Sequence, residues 1–148
     1  MRRRARTTID PRPWAFPGRP RVLIEHPDPD AGLELAGALR RAGCTVGICR
    51  GPDATGDPAT SCPLHGLEPC AAVEGSDFVL TALELDRQDA RRVLEGLRTR
   101  YPSTPLAVLA TPEQSSELGE LLEGCLVLPV DAPVTQVANE ISARIPHD

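Results

Sequence analysis

Five short apolar runs alternate along the chain with segments whose apolar residues recur at helical spacing, and no other feature restricts the fold as strongly. The apolar runs lie at residues 21–25, 44–49, 76–83, 104–110 and 125–130. Helical patterns cover residues 28–43, 86–101, 111–122 and 132–145. Strands and helices joined by short loops favour right-handed crossovers between parallel strands. The alternation therefore predicts an α/β fold, a doubly wound three-layer sandwich around a five-stranded parallel sheet.

Two of the predicted helices carry clear start signals. Asp28 is placed to cap the first helix, Pro29 takes its first position, and Gly43 ends it. Thr111 precedes a second helix, with Gln114 three residues later in the spacing of a capping box. These signals predict the residues at which two of the helices begin.

One crossover helix is missing from the alternation. Between the second and third runs the sequence instead supplies residues 50–70, "RGPDATGDPATSCPLHGLEPC", in which glycine and proline are too frequent for a long helix. An irregular segment of this length is uncommon in a compact domain unless it is functional or disordered. We therefore expect an irregular, cysteine-containing segment in place of the second crossover helix.

The composition narrows the possible functions. Apolar residues make up 41% of the chain and aromatic residues only 3%, as expected for aliphatic side chains packed on a parallel sheet. All 16 basic residues are arginine, which excludes Schiff-base chemistry and a lysine-dependent phosphate loop. No run of about 18 apolar residues is present, so no membrane span is predicted. The basic start lacks the apolar stretch of an export signal, and we expect a cytoplasmic protein.

The charge is distributed unevenly between two regions. Residues 1–20 are rich in arginine and proline and are predicted to form a flexible tail, whereas residues 21–148 form the folded domain. Trp14 and Phe16 are the only aromatic residues of the tail, which is either an inert leader or a docking motif. The domain is strongly acidic and therefore a poor surface for nucleic acid, since duplex binding depends on neutralising phosphates.

The pattern from residue 21 to about 146 resembles a response-regulator receiver domain, the CheY-like fold. The stretch "RVLIEHPDPDAGLELAGALRRAGCTV" is similar to that family's first strand, first helix and second strand. The stretch "SDFVLTALEL" is similar to the strand that ends in the phosphoacceptor aspartate. "YPSTPLAVLAT" and "LVLPVDAPV" resemble the fourth and fifth strands. The resemblance implies a flavodoxin-like sheet and a regulatory rather than an enzymatic role.

The resemblance also implies that the family's phosphorylation chemistry is absent. Aligned with the family's motifs, His26 and Pro27 stand at the acidic pair that binds Mg²⁺ and Ala82 stands at the phosphoacceptor. Ala110 stands at the conserved hydroxyl of the family and Leu128 at its lysine. None of these residues offers a carboxylate, a hydroxyl or a cation. We therefore expect a degenerate pseudo-receiver, without bound Mg²⁺ and without enzymatic activity.

The segment that replaces the crossover helix contains the most reactive side chains of the chain. Cys49, Cys62, His65 and Cys70 are sufficient in kind for a tetrahedral zinc site, and the three thiols could instead hold an iron–sulfur cluster. Cys49 ends a strand at the carboxyl edge of the sheet, where ligands bind in open α/β folds. These four residues are the candidate metal ligands.

Two other interpretations of the cysteines remain open. Cys62 and Cys70 close a small loop and could form a redox-sensitive disulfide, or both could be incidental to function. Cys44 and Cys125 open predicted strands and are expected to be buried fillers.

The sequence thus predicts a pseudo-receiver that regulates by protein–protein contact, with possible metal or redox control through the cysteines. By resemblance, a protein partner or a second copy would bind at residues 112–145. The alternative is a small metal, iron–sulfur or thiol-redox protein built on a receiver-like scaffold. A DNA-associated regulator that uses the arginine-rich tail is a third interpretation, which the acidic domain disfavours.

Overall fold

The fold is a single five-stranded parallel sheet with helices on both faces, as the sequence predicts. A computed structural model describes residues 18–52, 62–66 and 68–145. Five strands run through these residues in the order β2-β1-β3-β4-β5. Their bounds are β1 Arg21–Glu25, β2 Thr45–Cys49, β3 Phe78–Thr81, β4 Leu106–Leu109 and β5 Leu126–Leu128. All four strand pairs are parallel.

The described part also contains five helices and one 3-10 turn, all of which except the last helix lie between strands. The helices are α1 Pro29–Arg41, α2 Ala71–Glu74, α3 Gln88–Arg100, α4 Pro112–Glu117 and α5 Val134–Arg144, and the 3-10 turn is Pro63–Gly66. None of these helices is long and apolar enough to cross a membrane. The tail predicted at residues 1–20 lies almost wholly outside the described residues.

The structure confirms the predicted starts of α1 and α4. The Asp28 carboxylate accepts a hydrogen bond of 3.0 Å from the Asp30 backbone N–H, and Pro29 is the first residue of α1. Gly43 follows α1 with φ of +98°, a conformation that residues with a side chain rarely adopt. Thr111 and Gln114 form the complete capping box at α4. Local polar contacts thus set the direction in which α1 and α4 leave the sheet.

The sheet divides the core into two layers. Val22, Ile24, Phe78 and Leu80 face the layer covered by α1 and α5. Alternate residues of the same strands face the other layer, which is covered by α3, the 3-10 turn and α2. Both faces of the sheet are buried, as all-parallel sheets require.

Two elements differ from the sequence prediction. α4 ends at Glu117, and Leu118, Leu121 and Leu122 lie in the turns that follow rather than on a continuous helix. The physical reason is that Gly119 and Gly124 interrupt this stretch, and Gly124 has φ of +83°. The segment between β2 and β3 is not wholly irregular, because it contains the 3-10 turn and the four-residue α2. Both of these elements are too short to be read from periodicity.

Candidate functional site

The carboxyl ends of the strands form one edge of the sheet and bring the predicted site positions together. His26 follows β1, and its backbone N–H bonds to the Cys49 carbonyl at 2.9 Å. Ala82 follows β3 and bonds in the same way to the Glu25 carbonyl at 2.8 Å. Ala110 follows β4 and bonds to the carbonyl of Leu128, the last residue of β5, at 2.9 Å. Backbone pairing thus aligns these positions along the edge.

The side chains at this edge offer little chemistry. Ala110 and Leu128 are buried, and Ala82 packs against the core beneath α1 and α5. Pro27 is exposed. The Nδ1 atom of His26 accepts a 3.1 Å hydrogen bond from the Asp28 N–H. Burial lowers the pKa of His26 despite the opposing effect of Asp28, so the imidazole is neutral at pH 7 and suited to accept this bond.

Glu25, the last residue of β1, is the polar group that the sequence analysis missed. Only 1% of its surface is exposed, and its side chain faces the α3 layer. The Thr81 hydroxyl on the neighbouring strand donates a 2.6 Å hydrogen bond to its Oε1 atom. Among the described residues this is the only hydrogen bond to its carboxyl group, and no cation pairs with it. Glu25 is therefore a buried acid whose Oε2 atom accepts no hydrogen bond from the described residues.

The environment of Glu25 favours the protonated form. Burial raises its pKa from 4.5 to about 7, and the hydrogen bond from Thr81 opposes this rise only in part. An ionised carboxylate in an apolar layer loses its hydration and needs several donors or a cation in return. A single hydroxyl does not supply this compensation. Near neutral pH, Glu25 consequently divides between its protonated and ionised forms.

Three of the predicted metal ligands lie around this acid. Cys49 pairs with Glu25 in the parallel register of β1 and β2, so both side chains face the same layer. Cys62 and Cys70 are buried in that layer, near enough to Glu25 for its charge to act on both thiols. Cys62 also interacts electrostatically with the other two thiols. The fold therefore places three thiols and one carboxyl group in one neighbourhood.

The electrostatics of this neighbourhood oppose thiolate formation. Burial raises the pKa of Cys62 and Cys70, and the charge of Glu25 raises both further. No disulfide bond joins any of the five cysteines in this arrangement. Because nucleophilic attack and metal ligation both require the thiolate, Cys62 and Cys70 are unreactive while they remain buried.

The ligand set Cys49, Cys62, His65 and Cys70 remains a prediction. Within residues 18–52, 62–66 and 68–145, no group of three or more cysteine, histidine or acidic side chains is arranged to hold a metal ion. The side chain of His65 lies outside the described part. Binding zinc or an iron–sulfur cluster would thus require the segment that carries Cys62 and Cys70 to rearrange.

That segment, residues 62–66 and 68–74, is called here the cover segment because it closes the layer over Glu25. Leu64 of its 3-10 turn is fully buried against α3, where Gly96 leaves room for the Leu64 carbonyl. The Tyr101 hydroxyl accepts a 2.9 Å bond from the Cys70 N–H and donates a 2.6 Å bond to Glu74. The cover segment thus contacts α3 at Gly96 and is hydrogen-bonded to Tyr101, the residue that follows α3.

A sequence signal for Glu25 exists, although it is weak. The run "RVLIE" places a carboxyl group directly after three aliphatic residues, in a strand predicted to be buried on both faces. An acid there is either exposed at the end of the strand or buried with a partner. Only the register between β1 and β3, which sets Glu25 beside Thr81, distinguishes these two cases.

The fold is similar to those of solved structures, although two sequence comparisons find no match. No protein-family model matches the chain, and no curated protein matches it at a significant level. Among solved structures, chemotaxis protein CheY4 of Vibrio cholerae is similar with a TM-score of 0.61 and 15% identity over 86% of this chain and 99% of that one. A CheY-like response regulator receiver domain protein of Methanospirillum hungatei has a TM-score of 0.61 and 17% identity over 85% and 93% of the two chains.

Similarity also extends to proteins described by other roles. A putative pilus assembly-related protein of Burkholderia pseudomallei has a TM-score of 0.60 and 15% identity, over 89% of this chain and 96% of that chain. At such low identities the similarity establishes the fold alone. The chain has the CheY-like, flavodoxin-like fold of receiver domains, as the sequence predicts.

Proposed function

We propose that this protein is a receiver-like regulatory module of the cytoplasm that acts by protein contact and does not transfer phosphoryl groups. The observation that carries the proposal is the carboxyl edge of the sheet. Ala82, Ala110 and Leu128 meet there, aligned by backbone hydrogen bonds to the neighbouring strands. A receiver-type switch needs a carboxylate acceptor and cation ligands at this edge, and methyl and isobutyl groups supply neither.

Adjacent residues do not replace the missing groups. The Thr81 hydroxyl is bonded to Glu25, and the Thr111 hydroxyl accepts the Gln114 N–H at 3.1 Å in the capping box. Asp28 accepts the bond that starts α1. The two hydroxyls and the Asp28 carboxylate thus already have structural roles. A shift of the alignment by one residue would not restore the chemistry.

A small phosphodonor provides the direct test of this proposal. We expect that incubation with acetyl phosphate and Mg²⁺ leaves the intact mass of the protein unchanged, because no carboxylate stands at position 82. A phosphorylatable receiver treated in parallel serves as the positive control. A mass gain of one phosphoryl group that hydroxylamine removes would identify an acyl phosphate and overturn the proposal.

We further propose that residues 112–145 form the contact surface for a protein partner or a second copy. Val127 on β5 is 37% exposed and Val130 just beyond it is 53% exposed, so apolar side chains reach the surface beside α4 and α5. Leu118 and Leu121, in the turns after α4, are half-buried in the same region. Residues 112–145 thus contain both exposed valines and partly covered leucines, and apolar side chains of this kind form the centres of interfaces.

Charged residues at the two valines should abolish this contact. We expect the double substitution Val127→Asp and Val130→Asp to weaken partner binding or self-association at least tenfold, since a buried charge without a partner is costly. Sedimentation velocity measures self-association, and quantitative co-purification measures a partner. Leu33→Asp on α1, where Leu33 is 57% exposed, is the matched control. If both variants bind equally well, the contact surface does not lie within residues 112–145.

A metal or thiol-redox protein is the second candidate function. Its supporting observation is the gathering of Cys49, Cys62 and Cys70 around Glu25. It ranks second because the raised pKa values of Cys62 and Cys70 disfavour the thiolates that metal binding and disulfide exchange require.

A further inference from the structure

The surface of α4 and the turns after it is acidic. Residues 101–143 contain six acidic residues and no basic residue. Four of these acids recur at intervals of four, three and three residues, and all four are exposed: Glu113, Glu117, Glu120 and Glu123. These four residues are called here the acidic row. The longer helices α1 and α3 differ from this stretch, because each carries arginine as well as acids.

Most of the acidic row has no ion-pair partner among the described residues. Glu117 pairs with Arg91 of α3 at 2.6 Å, and its side chain is still 62% exposed. The Arg98 guanidinium donates to the backbone carbonyl of Glu123 rather than to its carboxylate. No described ion pair involves the other three members of the row. Neighbouring carboxylates repel each other, so the row favours a cationic occupant.

The chain itself contains a segment of the opposite charge. Residues 1–17, which lie outside the described residues, hold five arginines and one aspartate. Arginine presents a planar fork of donors that matches carboxylates. A second copy fits the acidic row poorly, since a two-fold interface would bring two rows of the same charge together. Charge therefore favours the arginine-rich segment over a second copy as the occupant.

The fold lets this segment reach the acidic row. Gly18 precedes β1 and Glu123 precedes β5, so both lie at the amino edge of the parallel sheet. Three strand spacings separate β1 from β5, which is about 14 Å. The acidic row extends roughly 15 Å further along α4 and its turns. An extended chain spans about 3.3 Å per residue, so Arg6, twelve residues before Gly18, can lie up to about 40 Å from it.

We propose that residues 1–17 dock on the acidic row of their own chain and so occupy part of the surface at residues 112–145. Exposed ion pairs are individually weak. The tether at Gly18, however, holds the arginines near the row at an effective concentration in the millimolar range, so several weak pairs together are sufficient. The docking goes beyond the proposed function, because it follows from charge and reach and needs no partner.

Carbodiimide cross-linking of the full chain tests the docking. The reagent joins a carboxylate to an amine without a spacer, and the chain has no lysine, so the α-amino group beside Arg2 is its only amine. Peptide mass spectrometry identifies the carboxylate that this amine reaches. We expect amides to the acidic row within one chain, besides those to the nearby Asp10. Their yield should fall severalfold in about 0.5 M salt, which screens exposed charges.

Two sets of substitutions use Glu117 as the reporter, since both leave it in place. The first neutralises the segment: Arg2→Gln, Arg3→Gln, Arg4→Gln and Arg6→Gln. The second neutralises the rest of the row: Glu113→Gln, Glu120→Gln and Glu123→Gln. Each set should lower the yield of the Glu117 cross-link roughly threefold or more, because the tethered contact loses its ion pairs. The matched control replaces three exposed acids outside the row and should leave that yield unchanged: Glu34→Gln, Glu84→Gln and Glu95→Gln.

Two results would overturn the docking. Equal yields at Glu117 in the unmodified protein and in all three variants would show that charge does not bring the amine to the row. Cross-links that join two copies, detected by mixing nitrogen-15-labelled and unlabelled protein, would place the contact between chains. The cross-linking result is independent of the Val127→Asp and Val130→Asp binding test, so a failure of the docking and a failure of the proposed function are distinguishable.

Discussion

Between pH 4.5 and about 7, the unfolding free energy of the unmodified protein is expected to fall because Glu25 titrates. The Glu25→Gln variant is expected not to show this loss. The folded-state pKa of Glu25 is about 7, above its ordinary value of 4.5. In that range the folded protein holds a proton that the unfolded chain has released, so stability falls as the pH rises. The loss is about 1.4 kcal/mol per pH unit and about 3 kcal/mol in total.

The measurement is urea unfolding of both proteins at pH values from 4.5 to 8. Subtracting the two stability curves cancels the contributions of groups that titrate in both proteins, such as His26, whose pKa burial lowers. The difference should grow with pH up to about 7 and then stay constant. A difference curve that is flat across this range would show that Glu25 is ionised, or solvated, in the folded state.

Gly96→Ala is expected to destabilise the protein even though alanine is the better helix former. A Cβ atom at this position on α3 would lie 2.5 Å from the Leu64 carbonyl oxygen and 3.2 Å from its Cβ. The nearest atom belongs to the backbone, so no side-chain rotation relieves the overlap, and overpacking of this kind costs about 1–3 kcal/mol. We expect a lower unfolding free energy in urea. We also expect Cys62 to react faster with a thiol-specific reagent, because the cover segment is displaced.

Gly37→Ala provides the matched control in another helix. At Gly37 on α1 the nearest atom to the added Cβ is the end of the flexible Arg41 side chain, at 3.4 Å. The substitution should therefore raise the unfolding free energy by up to about 1 kcal/mol, the usual gain from alanine in a helix. Equal stabilisation by both substitutions would mean that the cover segment does not pack on Gly96.

The order and type of the long elements could be predicted because local chemistry determines them. β1 and β3 follow from aliphatic runs, α1 from its cap at Asp28, and the start of α4 from Thr111 and Gln114. The carboxyl-edge positions could be predicted as well, since a parallel sheet places the ends of its strands along one edge. The structure accordingly has the fold that the resemblance implied.

The buried acid could not be predicted because it depends on register. Glu25 gains its partner only when β3 pairs with β1 so that Thr81 lies beside it, 56 residues further along the chain. The attachment of Leu64 at Gly96 is likewise a contact between segments that are distant in sequence. No periodicity within either segment indicates such a contact. For the same reason the sequence predicts only irregular structure for the cover segment, because frequent glycine and proline exclude a long helix but do not indicate the short elements that form instead.

The length of β5 restricts how a partner can bind at residues 112–145. β5 is the last strand of the sheet and contains only Leu126–Leu128, and Pro129, which has no N–H to donate, follows it directly. Three residues offer too few backbone N–H and C=O groups to pair with an added strand, and Pro129 adds no N–H donor beyond them. Recognition by β-augmentation is therefore disfavoured here, and so is edge-to-edge aggregation. A partner that binds at the proposed surface would therefore have to contact the side chains of Val127 and Val130 rather than extend the sheet.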